Sequence, residues 1–132
     1  MNFVYILFSF LSAALTFQLA PYKSMGSVRA SSLVILLFVG VVVGLKLDFQ
    51  IMDFVFGGSF VGMASTQRFN RLKVWTASLL FPFLFIQANG VGSSIGGTAG
   101  ASAFLAISFI FILFLIITKL SHCLRRYIYI RS

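Results

Sequence analysis

Acidic residues are the scarcest feature of this sequence. Asp48 and Asp53 are the only carboxylate side chains among 132 residues, and only 9% of the chain is charged. A soluble domain carries about 25% charged residues. A chain this apolar does not cover a soluble surface, so the composition indicates an integral membrane protein.

Cysteine and histidine occur once each, as Cys123 and His122. A single cysteine excludes an internal disulfide, and two adjacent ligands do not make a zinc site, which normally needs four. We therefore expect no metal site and no cofactor.

Catalytic groupings are also missing from the sequence. No carboxylate pair is placed for acid–base work, and no phosphate-binding loop of the Walker type is present. A serine nucleophile needs a base within hydrogen-bond reach, but Ser93 and Ser94 stand at the opposite end of the last apolar run from His122. We expect that the chain is not an enzyme.

Long apolar runs are abundant, in a chain that is 60% hydrophobic with seventeen phenylalanines. A membrane-spanning helix needs about 17 to 25 apolar residues. In lipid, an isolated apolar run becomes a helix because its backbone polar groups must be satisfied within the segment. The sequence predicts a single all-α integral membrane domain over residues 1–132, a transmembrane bundle of about five spans at 3–20, 32–45, 49–65, 74–88 and 101–120.

The third of these segments, 49–65, is ambiguous because it is short and contains Asp53 and a glycine pair. Four spans plus a re-entrant segment are the alternative. If 49–65 crosses, nine basic residues share one side of the membrane and Lys46 alone lies on the other; the nine are Lys23, Arg29, Arg68, Arg71, Lys73, Lys119, Arg125, Arg126 and Arg131. Cytoplasmic loops carry an excess of Lys and Arg, so the bias favours five spans, an outside N-terminus and a cytoplasmic C-terminus.

Glycines recur at a spacing of four residues, which places them on one face of a helix. Such stripes let two helix backbones approach closely in lipid, within the chain or between subunits. The candidates for helix packing are Gly40, Gly44, Gly58, Gly62, Gly96 and Gly100. We expect a turn over residues 89–94 and a helix from Gly96 onward, in which Gly96 and Gly100 contact either Gly58 and Gly62 or a neighbouring subunit.

A few polar residues lie in or beside the apolar runs. An ionised carboxylate in the bilayer costs about 2.5 to 3.5 kcal/mol on insertion scales, so such residues usually have a function. The candidates for an ion or proton pathway are Asp53, Ser59, Gln87, Asn89, Ser93, Ser94 and Thr98. The alternative for Asp53 is an interfacial position, paired with Lys46 or water. For the glycine-rich stretch, residues 89–103, we favour a connection between two helices over the lining of a pathway.

Together these features predict a transport or channel-type component that acts as an oligomer. The alternative is a non-catalytic structural or assembly subunit of a larger membrane complex. The expected partners are membrane lipid and either further copies of the chain or other membrane subunits. We expect no nucleic-acid binding, because the net charge of +8 resides at the ends of apolar runs rather than on one continuous face.

The charge bias predicts a cytoplasmic C-terminus and a cytoplasmic loop at 67–73. A reporter enzyme that is active only outside the cytoplasm, fused after Ser132, should therefore be inactive, and a cytoplasmic reporter at the same place should be active. The opposite result would refute the orientation.

Overall fold

The computed structural model describes residues 3–22, 25–64, 69–91 and 97–131, with the backbone alone at 89–91 and 122–131. Five α-helices and no strand occur in this part of the chain; the helices are α1 (Phe3–Leu19), α2 (Gly26–Gly44), α3 (Ile51–Gly62), α4 (Arg71–Val91) and α5 (Gly97–Arg131). The prediction of an all-helical chain is thus confirmed. Two segments, Gly26–Gly44 and Gly97–Ser121, are long and apolar enough to cross a membrane.

Several helix ends differ from the predicted boundaries. The helix α2 begins six residues before the predicted 32, and α5 continues through the basic tail to Arg131. The turn predicted over residues 89–94 is wrong in its first half, because Asn89 to Val91 belong to α4. The Asn-Gly turn signal is a local preference, whereas each added helical residue gains a backbone hydrogen bond once the helix exists. Residues 92–96, including Gly96, lie outside the described residues.

The shortest helix, α3, lies at the centre and packs against the other four helices. Nine of its twelve residues are buried. The three exposed ones are Asp53, Phe56 and Phe60, whose spacing of three and four residues places them on one narrow face. The rest of the bundle is therefore assembled around α3.

Side-chain pairs show the direction of each helix. Tyr5 stacks on Phe54 with ring centroids 4.8 Å apart. About two to three turns later, Gly62 of α3 meets Thr16 of α1, so α1 and α3 run parallel. Phe54 also lies against Phe85, at 5.2 Å. On α4 the order is reversed, since Phe10, later in α1, lies 6.0 Å from Trp75, earlier in α4.

The remaining helices continue this alternation. Lys73, near the start of α4, lies over Phe114 of α5 at 5.4 Å, while the end of α4 adjoins the start of α5 in sequence. The odd-numbered helices therefore run one way and α2 and α4 the other. Among the described cations, Arg29, Arg71, Lys73 and Lys119 belong to one end of the bundle, the basic end, and Lys46 lies in the α2–α3 link at the other end.

Two glycines of α3 form a close approach to α1. A Cβ built on Gly58 would collide with the backbone of Ser9, and one on Gly62 would lie 2.5 Å from the carbonyl oxygen of Ala13 and 2.7 Å from Cβ of Thr16. The ring of Phe81 from α4 occupies the space that a Cβ on the third glycine, Gly57, would need. These contacts allow α3 to lie between α1 and α4.

The other described glycines of the predicted stripes do not pack within the chain. A Cβ on Gly40, Gly44 or Gly100 would meet nothing within 4 Å. The expected contact of Gly100 with Gly58 and Gly62 is wrong, because α1 occupies the glycine face of α3. Residue spacing defines a face of a helix but does not define which helix lies against it. Contact of Gly40, Gly44 or Gly100 with another subunit stays a prediction.

These contacts predict opposite effects for two alanine substitutions. Gly58→Ala should destabilise the bundle by about 1–3 kcal/mol, because a packed interface does not absorb an extra carbon without strain. Gly100→Ala, at an open helical position, should be neutral or stabilising by about 0.5–1 kcal/mol. Thermal unfolding of both variants in detergent, followed by circular dichroism, measures the difference, and equal midpoints would contradict the α1–α3 packing.

Candidate functional site

The interior of the bundle carries small hydroxyl side chains. Every buried polar residue of the described part is a serine or threonine: Ser9, Ser12, Thr16, Ser31, Ser59, Ser78 and Ser102. The Ser12 hydroxyl donates a hydrogen bond to the Val55 carbonyl oxygen at 2.7 Å, and Ser9 makes a longer contact of 3.5 Å with the Ser78 carbonyl. Both connect α1 to a neighbouring helix.

Most of the other buried hydroxyls are satisfied within their own helix. Ser59 donates to the Phe56 carbonyl at 2.7 Å, Ser78 to the Trp75 carbonyl at 2.8 Å. The exception is Thr16, whose buried Oγ1 has no hydrogen-bond partner among the described residues. These groups serve helix packing and do not converge on one point.

Large apolar side chains point outward on all five helices. The most exposed include Leu36 at 71% and Phe104 at 69%. Leu7, Phe56 and Phe83 are exposed as well. Large contiguous apolar patches are uncommon on the surfaces of soluble monomers. The buried polar groups are thus small, and large apolar groups lie on the surface of the bundle as well as in its core.

The structure separates the pathway candidates on α3. Asp53 is exposed in the first turn of the helix, whereas Ser59, six residues later, is fully buried. Six residues turn a helix by about 600°, which places the two side chains on different faces. Asp53 and Lys46 are both exposed and form no ion pair in the described part of the chain.

The candidates at the α4–α5 junction are not gathered into one cavity by the described residues. Gln87 is exposed, and Thr98 is half-buried near the start of α5, where its carbonyl accepts a hydrogen bond from Ser102 at 2.7 Å. Asn89 is part of α4, but its side chain, like Ser93 and Ser94, lies outside the described residues. Their role in a pathway stays a prediction.

A cavity of about 500 Å³, the basic-end cavity, opens between the end of α1 and the start of α4. It is lined by Leu15, Phe17, Gln18, Leu19, Pro21, Tyr22, Phe69, Asn70 and Arg71. The sequence alone does not predict this site, because its walls come from segments about 50 residues apart. The signal present in the sequence was the pairing of aromatic and polar residues at two segment ends, Gln18 to Tyr22 and Phe69 to Arg71.

The described residues hold no group of three or more His, Cys, Asp or Glu that could bind a metal ion. The basic-end cavity is a concave site of the described residues in which one guanidinium and several neutral polar groups adjoin apolar side chains. The chain matches no known protein family, no curated protein and no solved structure.

Proposed function

We propose that this chain is a five-span integral membrane protein that acts as a non-catalytic subunit of a membrane complex. The observation that carries the proposal is the distribution of side chains, with small hydroxyl residues buried and large apolar residues exposed on every helix. In lipid, helices associate through close packing and interhelical hydrogen bonds, because lipid tails are as apolar as leucine. The contacts between α1 and α3 are of this kind.

The parallel course of α1 and α3 supports the crossing of residues 49–65. A re-entrant segment would return to its own side and would split the basic loops between the two sides. At twelve residues α3 is only about 18 Å long, less than a hydrocarbon core of about 30 Å. Four helices pack against α3 itself, whereas Asp48, Phe49 and Gln50 before it are exposed, so in the proposed placement this end of α3 belongs at the membrane surface.

The placement of the polar candidates favours a subunit over a pathway within one chain. Asp53 and Gln87 are exposed, and Ser59 is bonded to its own helix. Meanwhile, Gly40 and Gly44 leave an open face on α2, against which another helix can approach closely.

Extraction and mass measurement test this proposal. The chain should remain in the membrane fraction after alkaline carbonate washing. In mild detergent, native mass spectrometry should give a particle containing more than one 14.6 kDa chain or a second subunit. Gly40→Leu should shift this particle toward the single chain by obstructing the open face, whereas Val43→Leu, at an already exposed side chain, should not.

Release of the chain by carbonate would contradict membrane insertion. A particle of one chain, for the wild type as well as for Gly40→Leu, would contradict the subunit role. The two outcomes are separate, since the first concerns the medium and the second the assembly.

Transport between chains is the second candidate, and the exposure of Asp53 beside Phe56 and Phe60 favours it. A polar residue on an outward face lines a path only when a neighbour covers it. If a neighbouring chain covers Asp53, Asp53→Asn should abolish ion or proton flux in reconstituted vesicles and leave the number of chains in the particle unchanged. If Asp53 is interfacial, Asn should be nearly silent, because exposed charge pairs contribute only about 0 to 1 kcal/mol. Wild-type flux in the variant would exclude the pathway.

A further inference from the structure

We propose that the basic-end cavity binds the anionic headgroup of a phospholipid, with Arg71 as the main contact of the phosphate. This inference rests on the proposed membrane placement, which puts the end of α1 at the level of the headgroups. A volume of about 500 Å³ is within the range of about 300–1,000 Å³ typical of ligand pockets. Since the acyl chains would lie outside the cavity, only the headgroup has to fit.

The polar wall of the cavity suits a phosphate diester. The guanidinium of the exposed Arg71 forms no hydrogen bond or ion pair with another described residue. A guanidinium presents a planar fork of N–H donors that binds phosphate oxygens in a bidentate manner. Gln18, Asn70 and Tyr22 also line this cavity and supply neutral hydrogen-bonding groups for the rest of the headgroup.

The apolar wall leads from the cavity along the outside of α1. Leu15 lines the cavity, and Leu11 and Leu7 follow at intervals of four residues toward the middle of the bundle. These three leucines are 40%, 40% and 42% exposed, and their spacing places them on one face. An acyl chain lying along this face would join a headgroup held at Arg71. An amphiphile therefore fits both walls, whereas a free inorganic anion would use only one.

The charge distribution selects an anion. The described cations Arg29, Arg71, Lys73 and Lys119 belong to the basic end of the bundle. Both carboxylates of the sequence, Asp48 and Asp53, lie between the end of α2 and the first turn of α3, at the opposite end. The potential around the cavity is therefore positive and no carboxylate competes for Arg71, so an anionic lipid is favoured over a zwitterionic one.

Binding is measured by native mass spectrometry and calorimetry on the full chain in neutral detergent. The three probes are dihexanoyl phosphatidylglycerol, dihexanoyl phosphatidylcholine and inorganic phosphate. We expect saturable binding of one phosphatidylglycerol per chain, with weaker binding of phosphatidylcholine and of phosphate. Arg71→Gln should weaken phosphatidylglycerol binding by about tenfold, the size expected for a lost charged hydrogen bond.

Two matched controls separate the site from general effects. Lys119→Gln removes the same charge from the same end, outside the cavity, and should change the affinity by less than about twofold, because an exposed distant charge is screened. For the apolar wall, Leu15→Asn should weaken binding of the lipid while leaving the weak binding of phosphate as it is. Leu113→Asn, at a side chain of equal 40% exposure, should leave both affinities unchanged.

Three results would overturn the proposal. Equal affinity for phosphatidylcholine would remove the role of charge, and equal or tighter affinity for inorganic phosphate would make the cavity a site for a free anion. Unchanged phosphatidylglycerol binding in Arg71→Gln would remove the assigned contact. The carbonate wash tests membrane insertion separately. The binding of short-chain lipids is measured in detergent and does not depend on membrane insertion.

Discussion

The close approach of α1 and α3 at Gly58 and Gly62 is the contact on which the arrangement of the bundle depends. A side chain at either glycine would meet the backbone of α1, so only hydrogen at these positions lets α3 lie so close to its neighbour. Gly57 does the same for α4 by accommodating the ring of Phe81. With both neighbours this near, the Ser12 hydroxyl reaches the Val55 carbonyl and the Tyr5 ring stacks on Phe54. The central position of a helix of only twelve residues follows from these three glycines.

The same packing explains why the polar groups in the interior are small. In the proposed membrane placement, large apolar side chains gain little by leaving lipid for a protein interior of similar polarity, whereas close contact and hydrogen bonding stabilise helix pairs. Serine and alanine on the inner face of α1 keep the interhelical distance short, and leucines at positions 7, 11 and 15 remain outside.

The sequence predicted the features that depend on composition and periodicity. It missed those that depend on which helices pack against each other within the chain. The apolar runs predicted five helices, which the structure contains. The four-residue spacing identified Gly58 and Gly100 equally, yet only Gly58 has a neighbour within the chain. Likewise, the polarity of Asp53 and Ser59 suggested one site, although the helix turns their side chains to different faces. The basic-end cavity lay beyond prediction because its two walls meet only after α1 and α4 have packed.

The filled centre of the bundle limits where any solute could pass. Phe81 occupies the space beside Gly57, and Val55, Val61 and Phe81 are each fully buried within the same region. A route through one chain would have to displace these side chains, whose packing fixes α3 in place. The exposed polar residues, Asp53 and Gln87, lie on the outside of this core. Under the second proposed function, the route of conduction would therefore lie at a boundary between chains rather than inside one chain.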